Sequence, residues 1–199
     1  FLGTVSPAGG NLKEPVTEST KKAARCFYAL SQGRADSKRY PAIDPLESYS
    51  KYLEYPEVRE YLDEHIEKNW VDAVYEGKTI VQRGKEANDQ INILGDDGVP
   101  TEYHERFWKS ELIDFVILQQ DAFDAIDANC PTERQKMMYN MVLDICRKQF
   151  DFADFEECSQ YFKSLINLFR QMNYSEWKSE QFDDYRRQIE KFVNDKSAK

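Results

Sequence analysis

From Pro56 to the end of the chain the apolar residues recur at intervals of three and four, a period that builds amphipathic helices and does not suit a sheet. Val58, Leu62, Ile66, Trp70, Ala73 and Val74 form a first stripe, which the spacing extends towards Ile91. Gly95-Asp96-Asp97-Gly98-Val99-Pro100 stops it. Tyr103, Phe107, Leu112, Phe115 and Leu118 make a second stripe, and Met137, Met141 and Ile145 a third beyond the start signal at Pro131. Phe155, Phe162, Leu165, Phe169 and Met172 continue the pattern, then Trp177, Tyr185, Ile189 and Phe192. Short connections favour antiparallel neighbours, so residues 56–199 predict an orthogonal or up-down helical bundle. By itself this pattern says no more than that, because a Met or aromatic stripe is ordinarily core packing.

Residues 1–55 have another character. Phe1-Leu2-Gly3-Thr4-Val5 reads as the end of a strand, and the turn-formers from Ser6 to Asn11 as a loop. Val16, Ala23, Phe27 and Leu30 follow at helical spacing, with Pro15 suited to a first turn and Gly33 to a C-cap, which predicts a helix from Pro15 to about Ser31. Pro41 and Pro45 then force an extended or turning path. The expected fold class is mainly α.

Charge and motif spacing exclude several functions. With 36 acidic against 27 basic residues, the net charge is -9, and no basic stripe provides the footprint of a nucleic-acid binder. No apolar run approaches the roughly 20 residues of a membrane span, and the start of the chain lacks a signal-peptide pattern, so the expectation is a soluble intracellular protein. Cys26, Cys130, Cys146 and Cys158 form no C-x-x-C pair and are expected to be buried reduced thiols. His65 and His104 are not spaced to bind zinc; each could act as a general base given a substrate, but a surface or core role is the stronger expectation.

Gly77-Lys78-Thr79 resembles the end of a phosphate loop, yet Asp72 stands where the first glycine is required, and a helix rather than a strand precedes it. Asn173-Tyr174-Ser175 fits a glycosylation pattern that is frequent by chance. The acid pairs Asp96-Asp97 and Glu156-Glu157 read as solvated. No catalytic constellation is complete, which makes a stand-alone small enzyme the weakest reading.

Three segments carry a resemblance. Ser6-Pro7-Ala8-Gly9-Gly10-Asn11-Leu12-Lys13-Glu14-Pro15-Val16-Thr17 resembles the S-P-P-G-G-D-x-x-E-P-V-T segment of the catalytic A subunits of V-type ATPases and ATP synthases. The run from Arg39 to Ser50 is similar to that family's R-[HR]-[FY]-P-A-I-[ND]-x-L-x-S-Y-S, and also to Y-P-A-V-D-P-L-D-S of the F-type beta subunit. The run from Asp114 to Phe123, followed by Asp127-Ala128-Asn129-Cys130, resembles F-L-Q-Q-N-A-F and D-x-Y-C. Order and spacing agree, most strongly from Phe1 to about Phe150. The resemblance implies the C-terminal third of a longer chain, and a first residue of Phe1 rather than Met fits a trimmed piece. Residues 1–55 would be the last strand and helix of a truncated phosphate-loop nucleotide-binding α/β domain, and residues 56–199 a helical domain facing a central rotor stalk.

Function follows only where residues match. The resemblance implies that Tyr40 and Phe123 supply the two rings that hold the adenine of bound nucleotide, with Gln119 and Gln120 lining the same pocket. It implies ATP or ADP with magnesium as ligands of the intact subunit, coupling of ATP hydrolysis or synthesis to proton or sodium transport, and an alternating ring of A and B subunits around the stalk. The location would be peripheral, on the cytoplasmic face, with membrane contact only through the complex. The phosphate-loop Lys and Thr, the magnesium-binding acid and the water-activating Glu would all lie upstream of Phe1, so this piece alone is expected to be inactive and to bind nucleotide weakly or not at all. Lys51 stands where the non-catalytic partner subunits carry an arginine, which favours the catalytic type, since Lys lacks the planar fork that clamps phosphate. Asp96 and Asp97 lie in a turn between two helices, much as the acidic rotor-facing tip of the F-type beta subunit does; the letters differ from that tip, so a rotor contact is expected from position alone. The alternative is a catalytically inactive helical protein-interaction module, in which Tyr40 and Phe123 are core aromatics.

Overall fold

Prolines and long-range pairing decide where the helices begin and end. The computed structural model describes residues 1–197, in two compact units, Phe1–Val71 and a second that begins at Asp72.

In the first unit residues 1–7 have no regular structure. The expected strand at Phe1–Val5 does not form, because an extended segment without a partner has no ladder of hydrogen bonds to hold it. A 3₁₀ turn at Ala8–Gly10 follows, with Gly9 and Gly10 at φ 60° and 72°, left-handed values that glycine adopts at little cost. Helix α1 (Pro15–Ala23) starts on its proline and is pinned by the buried Thr17 hydroxyl, which donates to Glu14 Oε1 at 3.0 Å.

Helix α1 ends eight residues before the expected Ser31. Strand β1 (Cys26–Phe27) instead pairs antiparallel with β2 (Tyr49–Ser50), in the register Cys26↔Ser50 and Phe27↔Tyr49, and a further bridge joins Leu30 to Ile43. Aromatic and small apolar residues of this kind serve helix or strand equally, and the partner segment decides. Gly33 lies inside the short α2 (Gln32–Asp36), whose start is capped by Ser31 Oγ accepting from the Arg34 N–H. Helix α3 (Pro56–His65) closes the unit. The stripe expected to run unbroken from Val58 breaks between α3 and α4 (Trp70–Leu94), where Asn69 takes φ 64°.

The second unit continues with α5 (Thr101–Ile113), α6 (Thr132–Arg147), α7 (Phe155–Asn173) and α8 (Glu180–Lys196). Helix α5 runs on into a π-helical turn, Asp114–Leu118, closed by the Gln119 N–H donating to the Asp114 carbonyl at 3.0 Å. Helix α7 is the axis of the core: Cys158, Phe162, Leu165, Phe169 and Met172 are fully buried, and α5 and α8 pack against it. Burial of side chains of this size contributes roughly 1.5 to 3 kcal/mol each. Phe150, Phe152, Tyr161 and Phe162 cluster at one end with ring centroids 5.3 to 6.1 Å apart. Asp154 caps α7 through the Glu157 N–H (2.8 Å), and Ser179 caps α8 through the Phe182 N–H (3.1 Å).

Helix α4 approaches its neighbours through two glycines. A Cβ on Gly77 would overlap the Tyr139 hydroxyl, and one on Gly84 would overlap Ser110. The Tyr139 hydroxyl donates to the Ala73 carbonyl at 2.9 Å, and Arg147 holds Glu76 with both ends of its guanidinium, at 2.8 and 2.5 Å.

Candidate functional site

The resemblance places site residues in both units. Tyr40 belongs to the first. Its loop is tied down on either side: the Ser31 N–H donates to the Ala42 carbonyl (2.9 Å) and the Asp44 N–H to the Ala29 carbonyl (2.8 Å). Asp44 Oδ1 then accepts from the N–H groups of Leu46 (2.8 Å) and Glu47 (3.0 Å), an Asx turn that fixes the Pro45 corner. The Tyr40 ring stays 55% exposed, and the Tyr40–Pro41 peptide is cis. Lys51 lies with its ammonium 5.6 Å from the centroid of the Tyr49 ring.

Phe123, Gln119 and Gln120 lie together in the second unit, in the loop that leaves the π turn and ends at Pro131. Aspartates hold this loop. Asp121 Oδ1 accepts from the Phe123 N–H (2.9 Å), and Asp124 Oδ1 accepts from the N–H groups of Ile126 (2.9 Å) and Asp127 (2.8 Å). The Asp121 N–H donates to Asp127 Oδ2 at 2.6 Å, and Gln120 Nε2 donates to the Asp127 carbonyl at 2.7 Å. Burial raises the Asp127 carboxyl above its ordinary value, against the lowering effect of the Asp121 N–H.

At the apex of this well-bonded loop the Phe123 ring is wholly exposed. Within this chain neither the Phe123 nor the Tyr40 side chain is buried. The Nε2 of Gln119 is buried and has no hydrogen-bond partner among the described residues.

Sequence reasoning missed the side chains beneath this loop. Arg134 is 1% exposed, donates through Nη2 to the carbonyls of Met172 (3.3 Å) and Asn173 at the C-terminus of α7, and lies 5.5 Å from the Phe182 ring. The negative end of the α7 dipole suits that charge. Asn173 Nδ2 donates to the Val116 carbonyl of the π turn (3.2 Å), and the Tyr174 hydroxyl to Asp121 Oδ2 (3.3 Å). One signal was available: Arg134 shares an α6 face with Met138, Met141 and Ile145, and a charge on an apolar stripe needs a buried partner.

Asp96 and Asp97 form an exposed 3₁₀ turn, Asp96–Gly98, between α4 and α5, next to exposed Ile93 and Leu94. Gly95 opens it at φ 82°. His104 is buried beneath it, stacks on Phe155 at 5.2 Å, and donates from Nε2 to the Asp96 carbonyl at 3.0 Å. His65 stacks on Tyr61 at 4.0 Å, with Nδ1 2.9 Å from the Tyr61 carbonyl.

Gly77-Lys78-Thr79 lies inside α4, where Thr79 Oγ1 bonds back to the Tyr75 carbonyl at 2.8 Å. All four cysteines are free; Cys146 and Cys158 are buried as expected, but Cys26 and Cys130 are only half-buried. Burial pushes the Cys146 and Cys158 thiols up to about 12. Among the described residues no group of three or more His, Cys, Asp and Glu side chains could hold a metal ion, and no helix is long and apolar enough to cross a membrane.

Comparison with known proteins agrees with the resemblance. The V-type ATP synthase alpha chain of Treponema denticola is 37% identical over 195 residues, covering 98% of this chain and 31% of the relative. That of Chlamydia pneumoniae is 38% identical over 184 residues, covering 92% and 31%. This chain thus spans about a third of the length of such relatives. A solved ATP synthase subunit, NeqB from Nanoarcheaum equitans, matches its fold with a TM-score of 0.51 at 21% identity, over 70% of this chain and 32% of that one. The family described as the C-terminal domain of V and A type ATP synthase matches residues 59–162, just over half of the chain, and that span includes Asp96, Asp97, Gln119, Gln120 and Phe123. The chain belongs to the family of the C-terminal domain of V and A type ATP synthases.

Proposed function

We propose that this chain is the C-terminal segment of a catalytic subunit of a rotary ATP synthase or ATPase, and that Phe123 offers its ring to the adenine of bound nucleotide. The observation that carries this reading is an aromatic ring wholly exposed at the apex of a loop whose backbone is held by three aspartates. A ring held out by a fixed backbone can receive a flat base without a further ordering cost. Tyr40 is the second ring proposed for the base, and Gln119 and Gln120 are the supporting polar groups. These residues hold a base and do no chemistry on phosphate. Hydrolysis or synthesis of ATP with magnesium, coupled to ion transport, belongs to the intact subunit, and the isolated chain is inactive.

In this reading residues 1–55 complete the nucleotide-binding domain, and the helical domain starts at residue 56 although α3 packs within the first compact unit; residues 198 and 199 lie outside the described residues, and the Asp96-Asp97 turn meets the central stalk. The subunit works in a ring with B subunits, peripheral to the membrane on its cytoplasmic face. Stacking of a base on an aromatic is worth roughly 1 to 3 kcal/mol. Phe123→Ala in the full-length subunit, assembled in its complex, therefore raises the KM for ATP by about 5- to 150-fold. An unchanged KM would refute the assignment.

A further inference from the structure

The residue whose ring is proposed to face the base is linked through its backbone N–H, by way of one carboxylate, to a helix of the core. Asp121 uses its two oxygens differently: Oδ1 accepts from the backbone N–H of Phe123 at 2.9 Å, and Oδ2 accepts from the hydroxyl of Tyr174 at 3.3 Å. Tyr174 is the C-cap of α7, and that end of α7 is itself anchored. Arg134 holds the carbonyls of Met172 and Asn173, and Asn173 reaches the Val116 carbonyl in the π turn from which the Phe123 loop departs. The ring is thus tied to α7 both through the root of its loop and through Asp121.

We propose that Tyr174 is a positioning residue, which through Asp121 sets the placement of the Phe123 ring against the nucleotide base and transmits to it any displacement of α7. This rests on the reading that Phe123 faces the base. The loop keeps its internal shape without Tyr174, because Asp121 and Asp124 close their turns with backbone N–H groups of the loop itself. What Tyr174 adds is the connection of that turn to the bundle. Burial and the neighbouring Asp121 charge both raise the Tyr174 hydroxyl above its ordinary value, so it remains a proton donor at neutral pH.

The test uses the full-length subunit assembled in its complex, with steady-state ATP hydrolysis and with tripolyphosphate, which has no base, as a competitive inhibitor. Tyr174→Phe is expected to raise the KM for ATP about threefold to tenfold, the effect of one lost hydrogen bond, with kcat and tripolyphosphate inhibition unchanged. In a Phe123→Ala background the same substitution is expected to add nothing, since Tyr174 acts through that ring. The proposal is overturned if Tyr174→Phe leaves the KM alone while Phe123→Ala raises it, a result that leaves the Phe123 reading intact. It is also overturned if Tyr174→Phe acts equally with and without the Phe123 ring, or if it weakens tripolyphosphate as much as ATP. No effect of Phe123→Ala itself would remove the underlying reading and the proposal with it. Should Tyr174→Phe fail to assemble, Tyr174→Leu decides by the same criteria: it too removes the hydroxyl that donates to Asp121, and leaves the Asp121 carboxylate to accept from the Phe123 N–H.

Discussion

Gly84→Ala sets two physical effects of opposite sign against each other. Alanine is the better helix former, and mid-helix it should gain about 1 kcal/mol over glycine. At Gly84, however, the added Cβ would overlap both Cβ and Oγ of Ser110 and would sit 3.1 Å from the Arg106 carbonyl. The Ser110 side chain has no room to turn away from its own Cβ, and the carbonyl is backbone, so α4 and α5 must separate. Overpacking of a close interface costs typically 1 to 3 kcal/mol, occasionally more. Three simultaneous contacts put this site at the upper end, which leaves a net loss of about 2 kcal/mol and a fall in Tm of roughly 4 to 8 °C. Far-UV circular dichroism on heating reads it directly.

The double variant Gly84→Ala/Ser110→Gly moves the Cβ from α5 to α4 and removes the two Ser110 contacts, leaving the 3.1 Å approach to the Arg106 carbonyl, so it should recover most of the lost Tm. A Gly84→Ala protein that melts higher than the parent would show that propensity outweighs packing here and would refute the reasoning. The hairpin concerned carries the Asp96-Asp97 turn, so the same separation would displace that turn.

Arg147 holds the Glu76 carboxyl below its ordinary value near 4.5, mainly by its hydrogen bonds. A depressed carboxylate stabilises the fold above its unfolded-state value and loses that contribution as pH falls through its folded value; thermal melts of the parent and Glu76→Gln should therefore differ at pH 7 and converge below about pH 4. With the pair half-exposed, the difference is expected to be small and to shrink in high salt. Buried thiols pushed up to about 12 are poor nucleophiles, so at pH 8 the half-buried Cys26 should react with an aromatic disulfide reagent, Cys130, which burial also raises, should react more slowly, and Cys146 and Cys158 should react only after denaturation. Fast reaction of all four in the folded chain would contradict the packing of α6 and α7.

The bundle helices were legible because their stripes are long and their stops are chemical: Gly95 to Pro100 and Pro131 fall where α4 ends and where α5 and α6 begin. The break between α3 and α4 was not, since Ile66 and Trp70 keep the helical spacing across it. Pairing of Cys26–Phe27 with Tyr49–Ser50 is a property of two segments, and reading either alone extends α1 too far. At the site, motif letters pointed to Gln119, Gln120 and Phe123 and include Asp121 and Asp127, which hold the loop, whereas its ties to the bundle join residues far apart in the chain. Tyr174 lies 53 positions from Asp121, and Arg134 lies 39 from Asn173, so these contacts exist only after the helices have packed. The π turn at Asp114–Leu118 has no local signature in an apolar run that reads as ordinary helix.

The central claim, that the ring at position 123 meets the base of a nucleotide, is tested most directly by tryptophan fluorescence. Phe123→Trp in the full-length subunit, assembled in its complex, puts an indole where the base is expected. Titration with ADP should quench that emission at saturation, while tripolyphosphate should leave it unchanged. Emission unaltered by ADP under conditions where the complex hydrolyses ATP would contradict the account.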